Sequence, residues 1–90
     1  MKNNALTVIL GISVFDRAKE AGHVQTLLTR YGCSIKTRLG LHEVNDEFCS
    51  QSGLILLELF GDPKEQEKLE QKLKVIPGVE VQKMVFNTGM

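Results

Sequence analysis

Leu54-Ile55-Leu56-Leu57-Glu58-Leu59-Phe60, followed after Gly61 by Asp62-Pro63-Lys64-Glu65, decides how this chain folds. Leu54–Phe60 is apolar at both alternating sets of positions for most of its length. That is the composition of a strand that lies inside a sheet rather than at its edge. The next residues start a helix. Asp62 can accept from the first-turn amides, Pro63 suits the first helical position because its missing N–H is not needed there, and Glu65 can reach back as in a capping box.

Downstream, Leu69, Leu73 and Ile76 form a narrow apolar stripe on an otherwise charged helix. Glu70 and Lys74 stand four apart, a pairing worth roughly 0.2–0.5 kcal/mol. Pro77-Gly78 stops the helix, and a last strand runs over Val79–Phe86 with Val79, Val81 and Val85 facing inward. Upstream, Leu6, Val8, Leu10, Ile12 and Val14 occupy alternate positions of a first strand. Asp16 can cap the helix that follows, whose stripe is Ala18, Ala21, Val24, Leu28 and Tyr31 with Leu27 beside it. Gly32 is expected to end that helix in the left-handed conformation. The second strand is expected over Cys33–His42. Cys33, Ile35, Thr37, Leu39 and Leu41 would face one way, and Ser34, Lys36, Arg38, Gly40 and His42 the other. Glu43–Gly53 is expected as a loop.

The resulting order, βαββαβ, predicts an α+β, ferredoxin-like sandwich: a four-stranded antiparallel sheet with two helices on one face, as a single domain over residues 1–90. The helix-covered face would carry Leu6, Val8, Leu10 and Ile12 with Ile55, Leu57 and Leu59. Ile9, Gly11, Leu54 and Leu56 would lie on the opposite face, where their exposure marks an oligomer interface. A homodimer or homotetramer is expected.

Lys and Arg total 11 and Asp and Glu total 11, for a formal net charge of zero. Neutrality argues against a broad footprint for nucleic acid or an anionic membrane, and it does little to keep copies apart. Cys33 and Cys49 are too few for a disulfide framework and lack a CxxC spacing. The apolar run after Met1-Lys2-Asn3-Asn4 is broken by Thr7, Gly11 and Ser13, which reads as a strand and neither a secretory segment nor a membrane span. The expected location is the cytoplasm.

No Ser or Cys has a base and an orienting acid placed by the sequence, and no glycine-rich phosphate loop is present, so no catalytic residue and no cofactor is expected. Gly11 is a lone strand glycine, read as a bulge or as room for a close approach. His23 falls on the flank of the first helix. His42 and Cys49 supply imidazole and thiolate, which suit a borderline transition metal such as nickel or zinc. Two ligands per chain would need others across an oligomer interface. Lys36 and Arg38 are expected on one face of the second strand, able to grip a carboxylate or phosphate or to pair with Glu58. The outward positions of the central strands, Ile9, Gly11, Leu54 and Leu56, have no aromatic platform for stacking RNA bases. The Phe15-Asp16-Arg17 turn opens a helix, where amides favour anionic groups, and with Arg38 it makes the candidate ligand site.

The βαββαβ order, the Phe15-Asp16-Arg17 turn and the Leu69…Leu73…Ile76-Pro77-Gly78-Val79 ending resemble an ACT-type regulatory domain. Within that group the chain resembles the small stand-alone proteins labelled iron-only hydrogenase system regulators, through the short N-terminus, Asp16-Arg17, Arg38-Leu39-Gly40 and the long loop expected to lead into Leu54–Leu59. The resemblance implies a non-catalytic module that senses a small ligand or protein partner through its oligomer interface. Ala18-Lys19 follow Arg17 where amino-acid-binding ACT domains usually carry Pro-Gly. The chain is also similar, more distantly, to the metal-sensing C-terminal domain of the nickel-responsive repressor. His42 and Cys49 stand near the places of two ligands there, Gly40 replaces a histidine, and the spacing is one residue longer. That likeness implies the alternative function, a transition-metal sensor.

Overall fold

The computed structural model describes residues 6–15, 17–44 and 49–87. Strand β1 (Leu6–Val14) leads into helix α1 (Arg17–Arg30), a single 3₁₀ turn (Gly32–Ser34) and strand β2 (Ile35–Val44). Strand β3 (Cys49–Leu59), helix α2 (Pro63–Lys74) and strand β4 (Val79–Asn87) follow. The sheet runs β2-β3-β1-β4 with every neighbouring pair antiparallel. This is the ferredoxin-like α+β sandwich that the order of elements predicts.

The alternation of β1 and the stripes of the two helices meet in one core. Leu10, Ile12 and Val14 of β1 and Leu57 and Leu59 of β3 pack with Val24, Leu28 and Tyr31 from the first helical segment and Leu69, Leu73 and Ile76 from the second. Leu10, Ile12, Leu57, Leu69 and Leu73 are fully buried, each worth about 1.5–3 kcal/mol relative to exposure. Val8 and Ile55 join from the margin, partly buried. Leu6, expected inside, is 50% exposed. It pairs with Asn87 at the last rung of the sheet, beyond the reach of the apolar part of α2.

Local signals explain the ends of α2. Asp62 Oδ1 accepts from the Lys64 N–H at 2.9 Å, and the Asp62 carbonyl accepts from Glu65 and Gln66. The Glu65 carboxylate pairs with Lys68 at 3.2 Å. Gly78 takes φ 78°, as the stop after α2 requires, and Gly61 takes φ 88° at the turn out of β3.

Four expectations change. Gly32 does not adopt the left-handed conformation; it opens the 3₁₀ turn, in which the Ser34 N–H donates to the Tyr31 carbonyl at 2.9 Å. The turn delays β2 to Ile35, and Cys33 stays exposed outside it. The expected Glu43–Gly53 loop is largely strand: β2 continues to Val44 and β3 begins at Cys49, with Val44 opposite Cys49. Asn45–Phe48 lie outside the described residues. Finally, a β-bulge between Ile35 and Thr37 shifts the register of β2 by one residue, so Ile35 packs on the core while Thr37 and Leu39 stand opposite Glu58 and Leu56 on the other face.

Two lysines converge on the buried Glu70. Lys83 Nζ of β4 lies 3.0 Å from Oε1, and Lys74 Nζ lies 3.1 Å from Oε2. Burial by itself would raise the carboxyl pKa, but hydrogen bonds and charge from Lys83 and Lys74 overcome it and hold the group below its ordinary value.

Candidate functional site

The face of the sheet turned away from the helices has an apolar centre. β1 contributes Ile9 and Gly11, β3 contributes Leu54 and Leu56, and the register aligns Leu39, Met84 and Phe86 beside them. Gly11 stands directly between Leu56 and Gln82. Leu54 is 41% exposed, Leu39 51%, Met84 53% and Phe86 49%, while Ile9 and Leu56 are half-buried. Polar groups lie among these residues and satisfy one another. Glu58 accepts from the Thr37 hydroxyl at 3.1 Å and faces Lys36 at 3.8 Å; Gln82 donates to Glu80 at 3.0 Å. The face is thus a mixture, with Glu58 opposite Ile9 and Gln82 opposite Gly11 among the exposed apolar side chains, and exposed apolar groups of this number on one sheet face suit a protein interface.

Ile9, Gly11, Leu54 and Leu56 therefore share the face on which the sequence places them. Leu39, Met84 and Phe86 extend it. Alternation from the inward Val79, Val81 and Val85 already implied the two β4 residues, whereas Leu39 reaches this face only because of the bulge. Gly11 sits in unbroken register with both neighbours, so it is not a bulge. A Cβ there would meet Leu56 Cδ2 at 3.7 Å, an ordinary contact.

The same bulge separates two residues that the sequence put together. Lys36 joins Glu58 on the open face. Arg38 stands opposite the core residue Leu57 and hydrogen-bonds to Gln25 of α1 on the helical side. Lys36 and Arg38 cannot grip one anion from one face.

The turn after β1 lies elsewhere. Phe15 is 76% exposed, and its N–H donates to the Gly78 carbonyl at 2.7 Å, which ties this turn to the one leaving α2. Asp16 and the side chain of Arg17 lie outside the described residues. Arg38 is level with Leu57 and Leu10, while Phe15 lies five residues beyond Leu10, just past the end of β1. That separation is about 17 Å along the strand direction, so the structure does not gather Arg38 with Phe15. His23 lies on the exposed side of α1. His42 and Cys49 both belong to the β2–β3 hairpin, at rungs opposite Gly53 and Val44; their side chains are outside the described residues. Among the described residues no three His, Cys, Asp or Glu side chains cluster as metal ligands, and no helix is long and apolar enough to cross a membrane.

The sheet order, the two helices on one face and the exposed opposite face define the class: a ferredoxin-like α+β domain. Solved structures place the chain further. The uncharacterized protein TM1266 from Thermotoga maritima is 31% identical, over 91% of this chain and 99% of its own, with a TM-score of 0.75. At that identity and coverage the chain belongs to the same family as TM1266. The ACT domain of prephenate dehydrogenase tyrA from Bacillus anthracis is 20% identical over 82% of this chain and 99% of its own, with a TM-score of 0.52. CPII, a nitrogen regulatory PII-like protein from Thiomonas intermedia K12, is 12% identical over 98% and 100%, with a TM-score of 0.56. These two share the fold. No protein-family model matches the sequence, and none of the curated proteins does.

Proposed function

We propose that this chain is a non-catalytic regulatory or binding module of the cytoplasm that works as a homo-oligomer, with the open sheet face buried against a second copy. The observation that carries this reading is the set of apolar residues that the open face leaves accessible, Ile9, Leu39, Leu54, Leu56, Met84 and Phe86, with Glu58 among them already engaged by Lys36 and Thr37. Exposed apolar area of that kind is stabilised by burial against a partner, and closed symmetric dimers are the commonest way to supply one. The fold neighbours support a ligand-responsive role: one is the ACT domain of a prephenate dehydrogenase, and CPII is bound to ADP, AMP and bicarbonate. In this chain the ligand site belongs at the Phe15-Asp16-Arg17 turn, beside the Pro77-Gly78 turn to which Phe15 is tied. A ligand there controls the module only by binding two interface states unequally. The setting in iron-only hydrogenase expression or maturation rests on the resemblance carried by Asp16-Arg17 and Arg38-Leu39-Gly40.

Native mass spectrometry of protein purified without chelator tests the reading, because it reports assembly and retained molecules together. A dimer or tetramer is expected, reduced to monomer in folded Leu56→Glu. An oligomer that survives this substitution at low micromolar concentration places the interface elsewhere. The second reading, a metal sensor, is favoured by the hairpin that carries both His42 and Cys49. It requires a retained nickel or zinc ion that His42→Ala or Cys49→Ala removes; an ion that survives both ends it.

A further inference from the structure

The register sets out the open face in rows that cross the sheet from β2 to β4. Thr37, Glu58, Ile9 and Met84 form one row, and Leu39, Leu56, Gly11 and Gln82 form the next. Beyond the second row Leu54, Ser13 and Glu80 stand abreast; beyond the first, Phe86 is level with Thr7. On this grid the apolar residues make a diagonal band. It starts at Phe86 and Met84 on β4, passes through Ile9 and Leu56, and ends at Leu39 and Leu54. The band advances about 13 Å across the sheet and about 13 Å along it, so it lies at about 45° to the strands.

The diagonal leaves two polar corners. At one, Glu58 accepts from Thr37 at 3.1 Å and faces Lys36 at 3.8 Å. At the other, the Glu80 carboxylate accepts from the neutral Gln82 amide at 3.0 Å. A closed dimer presents the same patch twice, related by a two-fold axis. To lay band on band, that axis runs either along the band or across it. Either choice turns one sheet by about 90° against the other, which is one of the two ways in which sheets stack.

The corners decide between the two axes. With the axis across the band each corner meets its own copy, so Glu80 faces Glu80 of the partner subunit, and like charges placed together at an interface cost affinity. With the axis along the band the corners exchange. Glu80 then falls over Lys36 of the partner subunit, and Gln82 falls over Glu58 of the partner subunit. The Lys36 side chain is 63% exposed, and an ammonium has three N–H donors, so it can serve its own Glu58 and the second carboxylate together. The preference needs no surplus of positive charge; it is the difference between a carboxylate that meets an ammonium and one that meets a carboxylate. Along the same axis Leu39 meets Leu54 of the partner subunit, and Leu56 meets its own copy.

We propose that two copies stack open face to open face with their strands crossed at about 90°, the two-fold axis running along the apolar band, so that Lys36 of each copy meets Glu80 of the partner subunit. The arrangement rests on the burial of this face against a second copy.

Within one chain Lys36 and Glu80 stand at opposite corners, three strand spacings and about five residues apart, roughly 20 Å. A zero-length amide cross-link between them therefore forms only between copies. Carbodiimide treatment of a mixture of unlabelled and nitrogen-labelled full chain, read by peptide mass spectrometry, should give a mixed-isotope Lys36–Glu80 cross-link. It is read on the unaltered chain and so does not depend on how variants fold. Charge reversal supplies a second readout: Lys36→Glu and Glu80→Lys should each weaken the dimer by about tenfold, because the axis repeats the pair. The double variant should recover most of that loss. A dimer that Leu56→Glu dissolves, but that gives no such cross-link or whose single losses simply add in the double variant, overturns the crossed stacking and leaves the open-face interface standing. A wild-type chain that is monomeric, or that Leu56→Glu leaves assembled, overturns both.

Discussion

Glu70 shows how one residue links stability to pH. Its side chain is 8% exposed and holds Lys74 and Lys83 together, joining α2 to β4 by charge where the helix has only a narrow apolar stripe. Removing one partner of such a buried cluster costs more than the pair contributes net, because the remaining charges lose their compensation. Glu70→Gln keeps the shape and removes the charge; a loss of about 1–3 kcal/mol is expected in urea unfolding near neutral pH. The folded pKa lies below the ordinary 4.5, so the contribution is fully present above that value and is lost as pH falls through the lowered one. The gap between wild type and variant should therefore hold from neutral pH downward and close below pH 4.5. A gap that stays constant through that window would show that the charge of Glu70 is not what the fold uses.

At the scale of elements, α2 was legible almost to the residue, because capping and stop signals are local chemistry. Asp62→Ala should cost about 1 kcal/mol and Asp62→Asn little, since asparagine caps as well as aspartate; the shift of the urea midpoint measures both, and equal losses would show that the side-chain cap is idle. β2 was legible only in part. Its missing pieces come from long-range pairing that leaves no periodic mark. Ser50-Gln51-Ser52 has no apolar alternation, yet β3 runs through it, because Cys49 and Gly53 on either side pair with Val44 and His42 of β2. The bulge at Ile35–Thr37 is a property of the ladder and not of any turn residue, and it decides that Lys36 and Arg38 serve opposite faces. The open face was legible at Ile9, Gly11, Leu54 and Leu56 because period two is strict in central strands. Leu39 escaped for the same reason as Lys36.

For the whole molecule, two adjacent residues separate folding from assembly. Leu56 and Leu57 are neighbours in β3 and point to opposite faces, one toward the open side beside Gly11 and Leu39, the other into the core opposite Leu10. Leu57 is fully buried, so Leu57→Glu places a carboxylate in the core with no partner and should prevent folding. Leu56→Glu places the same group on a half-buried surface, where the monomer can hydrate it but a stacked partner cannot. Circular dichroism should therefore report a folded Leu56→Glu and an unfolded Leu57→Glu, while sedimentation reports monomer for the folded variant and oligomer for wild type. Both measurements are needed. If Leu56→Glu unfolds as readily as Leu57→Glu, the open face belongs to the stability of the single chain. If it folds and still assembles, the copies meet along an edge strand, β2 or β4, and the apolar centre is left for a different protein partner.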